Sequence, residues 1–420
     1  MKQIAIVGGC GHVGFPLGLA LAKGLRKLPN WGGAQVSEVQ STSTTPDAKD
    51  FTPNVKVSLI DINTEVINSI NSGKVPFQEA GAEEILKAAL ANKTLHASND
   101  MTIVREADAV IFVTGTPVDE HLNPRVKDVL NVIRLYLPHM SPKQLIILRS
   151  TIYPGVFRVV DNMLTKAFGS TPLLAFCPER IVQGKGVEEI FTLPQIVSAN
   201  SPEAFSAASE LFSHIAPKII ALEPEEAELA KLLTNSWRYL EFAIANQFYM
   251  MVEEKGYSFY KILGALSEDY PRAKHFARAG FAAGPCLFKD TMQLSAFYNN
   301  KFFLGQAGML VNEGLPDFVV SQLATKMGGS LKDKRIAILG MAFKANNDDT
   351  RESLSFKVRK NLEFRMADVL IHDPYLDTLP LDEILAQADG VILGVPHKEY
   401  AGLKIAVPFV DCWNFWKLEE

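Results

Sequence analysis

The sequence predicts an α/β protein: two Rossmann-like, doubly wound domains joined by a long central helix and a helical region. Three observations carry that expectation. Strand-like apolar runs alternate with helical patterns through the first half of the chain, the rhythm of a parallel sheet covered by helices on both faces. One uninterrupted helical pattern then runs from Pro224 to about Gly256. From Lys334 the strand–turn–helix rhythm restarts. The expected division is 1–222, with an insertion at 29–54, then 223–328 for the helical region, then 329–420.

Taken in order, "QIAIVG" is a buried strand and residues 13–28 an apolar helix. The stretch 29–54 is rich in Ser, Thr and Pro, has no apolar period and reads as a surface insertion. "VKVSLID" is a second strand, and "TEVINSINSG" is a helix that Gly73 ends. "ADAVIFVT", "KQLIILRST" and "PLLAFCPER" continue the strands. The long helix places apolar residues at i, i+3 and i+4 and meets no Gly until its end. Thirty residues of helix span ~45 Å, a length suited to a connector and a dimer contact. Less regular helical segments are expected to residue 328. "KRIAILGMAF", "ADVLIHDPY" and "ADGVILGV" are the later strands, with Pro408 to Asp411 as one more.

At 420 residues the chain exceeds one ordinary core. Apolar residues make up 47% and the net charge is −5, so no basic excess marks a nucleic-acid partner. No apolar run approaches the ~18 residues of a membrane span. "MKQIAIVGG" enters a glycine loop instead of a cleavage site, which argues against a signal peptide. Cys10, Cys177, Cys286 and Cys412 are scattered, without CxxC or metal-ligand spacing. A cytoplasmic protein with reduced thiols and no metal is expected. His96, His139, His214 and His397 are dispersed and suit core or surface roles.

"IAIVGGCGHVGFPLG" places Gly9, Gly11 and Gly14 in G-x-G-x-x-G spacing between a strand and a helix. The first glycine permits a tight turn, the second admits a pyrophosphate, and the third lets helix and strand pack closely. The helix N-terminus then offers N–H groups to the anion. His12 and Val13 complete the cofactor loop, although Cys10 and His12 read as tolerated positions and not as chemical groups. The acidic partner, Asp61, lies 47 residues beyond Gly14, and the insertion accounts for that gap. An acid there hydrogen-bonds a ribose and repels a 2′-phosphate, favouring NAD over NADP. A glycine turn without a nucleotide is the competing account.

The motifs "GGCGHVGFP", "DIN", "NSGKVPFQEAG", "GTPVD", "RSTIYPG", "CPERIVQGK", "AELAKLLTN", "GPCLFKD", "LGMAFKANNDDTRES" and "HDPY" occur in this order. In them the chain resembles the nucleotide-sugar 6-dehydrogenases, the family of UDP-glucose and UDP-N-acetylhexosamine dehydrogenases, over nearly its whole length. The resemblance implies an N-terminal NAD domain, a dimerising central helix and a C-terminal domain that receives a UDP-sugar. Two departures stand out. Ala283-Gly284-Pro285 replaces a glycine pair before the cysteine, and the 29–54 insertion is not general to the family. "PERIVQGK" looks like the acetamido-sugar branch, while "CLFKD" looks nearer to the glucose branch.

The resemblance further implies a four-electron oxidation of a sugar CH₂OH with two NAD, and it assigns residues. Cys286 is the nucleophile that makes the second oxidation possible; a buried turn cysteine is the plain alternative. Lys231 and Asn235, four apart on the long helix, match the oxyanion-holding positions, against a solvated lysine. Asp290 matches the acid that works with that lysine and a water, against a capping role. Glu179 ends a strand, where doubly wound folds bind their ligands, and is the candidate general base. Thr151 matches a water-positioning residue, and Thr116 and Pro117 shape the nicotinamide side of the pocket. Arg180 contacts the sugar or forms a surface salt pair. Lys344 and Arg351 suit phosphate oxygens, on the substrate and the NAD respectively, or are simply surface. Arg272 and Arg278 are candidates for a sugar contact across a dimer. A two-electron hydroxyacid-type dehydrogenase and a non-catalytic nucleotide-sugar binder are the competing functions.

Overall fold

The computed structural model describes residues 1–23, 25–26, 51–52, 55–116, 118–119 and 124–416, with backbone alone for 25–26 and 51–52. Two compact units emerge, Met1–Leu232 and Leu233–Glu420, and the division falls inside the long helix.

In the first unit, β1 (Gln3–Val7), α1 (Gly14–Ala22), β4 (Lys56–Ile60), α2 (Thr64–Asn71), α3 (Ala82–Ala91) and β5 (Leu95–Ser98) follow one another. Between α1 and β4 lie two short strands, β2 (Leu25–Arg26) and β3 (Phe51–Thr52), which pair antiparallel. Then come β6 (Ala109–Phe112), α4 (Val126–Tyr136), β7 (Leu145–Leu148), α5 (Val156–Phe168), β8 (Leu173–Phe176), α6 (Gly186–Thr192), β9 (Gln195–Ala199), α7 (Pro202–Ser213) and β10 (Ile219–Ala221). The large sheet has the order β10-β9-β8-β7-β6-β1-β4-β5. From β1 the chain steps outward through β4 and β5, then returns to the other side for β6, β7 and β8. These six strands are parallel. β9 runs antiparallel to β8 and carries β10 parallel to itself. The reversal of direction at β1 creates the crevice in which such sheets bind ligands, beyond the strands' carboxyl ends.

Alternation along β1 explains the double winding. Ile4 and Ile6 join the apolar core on one face, Ala5 and Val7 the core on the other, as strand geometry requires. Both faces need helices, so the strands read as continuous apolar runs.

The helix expected over 13–28 stops at Ala22, and Leu25–Arg26 is strand. Gly24 sits at this break, a helix-stop residue that the apolar count outweighed. Apart from β3, the 29–54 insertion lies outside the described residues.

The long helix is α8 (Pro224–Glu253), 30 residues. The second unit continues with α9 (Phe259–Ser267), α10 (Leu287–Phe297), α11 (Phe303–Lys326), β11 (Arg335–Leu339), α12 (Ser355–Phe364), β12 (Asp368–His372), α13 (Leu381–Gln387), β13 (Gly390–Leu393) and β14 (Phe409–Val410). The region expected to be less regular thus contains a 24-residue helix, α11, with Pro316 inside it. Its sheet is all parallel, β12-β11-β13-β14. Ile336 and Ile338 face one core, Ala337 and Leu339 the other, the same two-sided design as β1.

Candidate active site

The loop after β1 has the shape a dinucleotide needs. Gly9 packs on β4 so closely that a Cβ would lie 2.6 Å from the Ile6 carbonyl oxygen and 2.8 Å from Leu59 Cα. At Gly14 a Cβ would meet Gly9 Cα at 2.6 Å. Gly11 differs, since its nearest neighbour would be 3.9 Å away. Two glycines therefore bring the backbone together and the third leaves an open approach, which fits a pyrophosphate resting on the N-terminus of α1. Asp61, one residue past β4, turns its Oδ2 to the Cys10 backbone N–H at 3.2 Å, and its Oδ1 accepts from Ile62 and Asn63. The acid expected to hold a ribose thus also ties the end of β4 to the glycine loop. The Cys10 thiol is buried and pushed up to about 12, first by burial and then by the Asp61 charge, so it is no nucleophile. His12 packs its ring 4.0 Å from that of Phe77. Val13 precedes α1, and Thr116 lies in the segment leaving β6, half-buried. Pro117 lies outside the described residues.

Glu179 sits three residues past β8, and the structure surrounds it with donors. Its Oε1 accepts from the backbone N–H groups of Arg180 at 2.6 Å and Ile181 at 3.0 Å. Its Oε2 pairs with the Arg149 guanidinium. Arg149 is only 1% exposed; it also donates to the Gln195 side-chain oxygen at 2.9 Å and the Cys177 carbonyl at 3.2 Å, and lies over the Phe212 ring. Thr151, two residues further along the chain from Arg149, is half-buried. The Arg180 guanidinium donates to the Pro194 carbonyl. Burial lowers its pKa, partly opposed by the Glu179 charge.

Glu228, which sequence reasoning missed, is fully buried and accepts from the Gly155 and Phe157 N–H groups at 2.6 and 2.8 Å. It thereby caps α5 and anchors the start of α8. Glu79, also missed, accepts from Gly184 and Val187 at 3.0 and 2.9 Å, binding "FQEAG" to the segment after "CPER". Glu79 sits in a polar loop without periodicity, and Glu228 is one acid among several in the first turns of α8, so neither stood out in the sequence. Lys231 is buried on α8, one turn before Asn235.

In the second unit Cys286 stands at the N-cap of α10, exposed. One turn later Asp290, fully buried, accepts from Asn235 Nδ2 at 2.6 Å and is 3.2 Å from Lys289 Nζ. The predicted Asn235 and Asp290 are therefore a direct pair at the cysteine's helix. The departing loop has its own logic. Gly284 has φ +100, and a Cβ there would lie 2.6 Å from the Phe343 ring, so glycine is required even though its neighbours differ from the family pattern. The Gly284 N–H donates to the Glu352 carbonyl at 3.2 Å, joining this loop to the one after β11. There Arg351 is clamped by Asp349, with Nε–Oδ1 at 2.9 Å and Nη2–Oδ2 at 2.6 Å. The Asp349 hydrogen bond raises the Arg351 pKa most, burial opposes it, and the Asp349 and Cys286 charges add further support. Lys344 is half-buried in the same loop. Arg272 lies over the Tyr270 ring at 4.8 Å. Arg278 lines a cavity of about 340 Å³ with Arg238, Glu241, Phe242, His275 and Trp413. Among the described residues no His, Cys, Asp and Glu cluster could hold a metal, and no helix is long and apolar enough to cross a membrane.

Sequence comparison matches residues 49–216 to the NAD binding domain of the UDP-glucose/GDP-mannose dehydrogenase family. Residues 225–313 match that family's central domain, and 337–417 its UDP binding domain. The glycine loop precedes the first matched segment. UDP-N-acetyl-D-mannosamine dehydrogenase of Methanococcus maripaludis is 26% identical over 356 residues, covering 82% of this chain and 81% of that protein. The protein of the same name from Escherichia coli K12 is 26% identical over 372 residues, covering 81% and 88%. Among solved structures, the UDP-D-ManNAc dehydrogenase of Pyrococcus horikoshii superposes with a TM-score of 0.83 at 24% identity, covering 96% of this chain and 91% of that one. A UDP-glucose dehydrogenase from Pyrobaculum islandicum gives 0.84 at 24% identity, covering 99% and 95%. At that identity the two structures establish the shared fold.

Proposed function

Because the chain belongs to the UDP-glucose/GDP-mannose dehydrogenase family, we propose that it carries a UDP-sugar C6 alcohol to the uronic acid through a cysteine thioester. It is an NAD-dependent oxidoreductase. The observation that carries the finer reading is the buried Asn235–Asp290 hydrogen bond one turn from Cys286. A desolvated amide–carboxylate pair is costly to build for packing alone, and here it borders an exposed thiol at a helix N-terminus.

Bound at the glycine loop, NAD supplies the hydride acceptor once in each two-electron stage. Loss of the first hydride and the hydroxyl proton leaves an aldehyde. The Cys286 thiolate adds to its carbon, forming a C–S bond and a thiohemiacetal. Departure of the second hydride gives the thioester, and water breaks the C–S bond to release the acid and the thiol. The sum is RCH₂OH + 2 NAD⁺ + H₂O → RCOO⁻ + 2 NADH + 3 H⁺. Lys231 and Asn235 hold the oxyanion of the tetrahedral stages, Asp290 orients Asn235, and Thr151 places the water. Glu179 serves as the base for hydrolysis, with Arg149 and two backbone N–H groups fixing its orientation.

A UDP-N-acetylhexosamine is the favoured substrate, supported by "PERIVQGK" and by the relatives named for UDP-N-acetyl-D-mannosamine. UDP-glucose is the second reading, supported by "CLFKD". Incubating the protein with a panel of UDP-sugars and NAD should yield two NADH per sugar consumed. A ratio of one would favour a two-electron dehydrogenase, and no turnover of any UDP-sugar would favour a binding protein.

A homodimer through α8 belongs to the same proposal. Leu233, Trp237, Ile244, Phe248 and Met251 are all exposed and lie at spacings of 4, 7, 4 and 3 along the helix, which aligns them in one stripe. Exposed apolar surface of this kind marks an interaction site, and a self-complementary helix is the simplest partner. Trp237, 62% exposed, should tolerate Trp237→Glu in the fold but not in the dimer. Light scattering is expected to show a dimer for the parent and a monomer for this variant; a monomeric parent would remove the idea.

A further inference from the structure

The second unit contains a buried polar pair that no step above uses. Asp373 follows β12 and His397 follows β13, the two strands that flank β11. Their side chains meet at the carboxyl end of β11, with His397 Nε2 at 3.2 Å from Asp373 Oδ2, and both are wholly buried. The same carboxylate oxygen accepts from the Met341 and Ala342 N–H groups at 2.6 and 3.0 Å, and Oδ1 accepts from Tyr375 at 3.0 Å. Burial pushes the Asp373 carboxyl up, but His397 and the Tyr375 and Met341 N–H groups outweigh it and hold the group below its ordinary value.

The other edge of the ring faces the loop after β11. His397 Nδ1 accepts the Asn346 backbone N–H at 3.0 Å. An accepting Nδ1 carries a lone pair, so the proton of the neutral ring sits on Nε2 and points at Asp373. Asn346 is in the left-handed region at φ +55, and its Oδ1 accepts from the Lys398 N–H at 2.9 Å. The loop is thus held at two points by the segment after β13.

The end of the first strand is where an open sheet of this type binds its ligand. In the first unit that place is open around Gly11; in the second, Asp373 and His397 fill it. A ligand of the second unit must then be met by the outer part of the loop, residues 343–351, which carries Lys344 and Arg351. We propose that His397 is a positioning residue, a buried latch that ties this loop to Asp373 so that Lys344 meets the substrate diphosphate preorganised. The proposal rests on the UDP-sugar reading for its ligand. Its physical core is that binding is strengthened when a loop is ordered before the ligand arrives.

His397→Phe keeps a ring of similar volume and removes both hydrogen bonds. In the full-length protein it is expected to raise KM for the UDP-sugar about tenfold, the equivalent of one hydrogen bond to a charged partner. kcat should stay within about threefold. Amide exchange at residues 344–351 should quicken about tenfold while β11 to β13 stay protected. Should His397→Phe fail to fold, His397→Asn, too short to reach both partners, must show the same KM and exchange changes. A folded variant with wild-type loop exchange, or a loss confined to kcat, would overturn the latch. If the parent turns over no UDP-sugar, the functional reading fails by itself, and amide exchange still decides the latch.

Discussion

Cys286→Ser is expected to abolish uronic acid formation, lowering its rate by on the order of 10⁴-fold or more, the scale on which a covalent nucleophile acts. Once the first hydride has gone, the aldehyde carbon carries one hydrogen that is not hydridic until a nucleophile has added. Sulfur adds readily as the thiolate and later leaves as one; a serine alkoxide is far less accessible at neutral pH. Cys286 is exposed at the N-cap of α10, so the exchange should cost under about 0.5 kcal/mol of stability. Serine also caps helices well. Unchanged melting with lost acid formation is the expected signature, read from the uronic acid product and a thermal melt of the same sample. Undiminished conversion to the acid in Cys286→Ser would exclude a covalent route.

The second large effect concerns stability. Arg149→Met should destabilise the first unit by about 3–5 kcal/mol, the cost of breaking a buried ion pair from one side. Arg149 is wholly buried beneath the end of the sheet, and its removal leaves the Glu179 carboxylate, the Gln195 amide oxygen and the Cys177 carbonyl short of a donor. Adding Glu179→Gln to the variant removes the unpaired charge and should restore more than 1 kcal/mol of that loss. Urea denaturation of the wild type, the single variant and the double variant measures the cycle. An Arg149→Met midpoint equal to that of the wild type would show that the pair does not support the fold.

The two pairs differ in how legible they were. Cys286, Lys231, Asn235 and Asp290 could be marked from ordered motifs, because "GPCLFKD" and "AELAKLLTN" are local strings. The pairing of Asn235 with Asp290 spans 55 positions and required coordinates. "RSTIYPG" points to Thr151 by its motif, yet its buried arginine is the residue the structure ties to Glu179. A lone arginine after a strand has no periodicity to betray burial, and charged residues are buried only when a partner is present. Arg180 had a sugar contact among its expectations, and the fold turns it onto the Pro194 carbonyl.

The strands β1, β4, β6, β7, β8, β11, β12 and β13 were written into the chain as mostly apolar runs, since a strand covered on both faces is apolar at most of its positions. The same holds for α8, whose period persists for eight turns, and for the glycine loop, where missing side chains are themselves the message. The tertiary structure alone decided the regular course of α11, the antiparallel addition of β9, and the partners of Arg149, Glu228 and His397. Those outcomes depend on charges and backbone groups meeting across long stretches of chain. Hydrophobic patterning is repeated along the sequence and can be read locally, whereas a buried polar contact is a single pair whose identity exists only once both partners have been brought together.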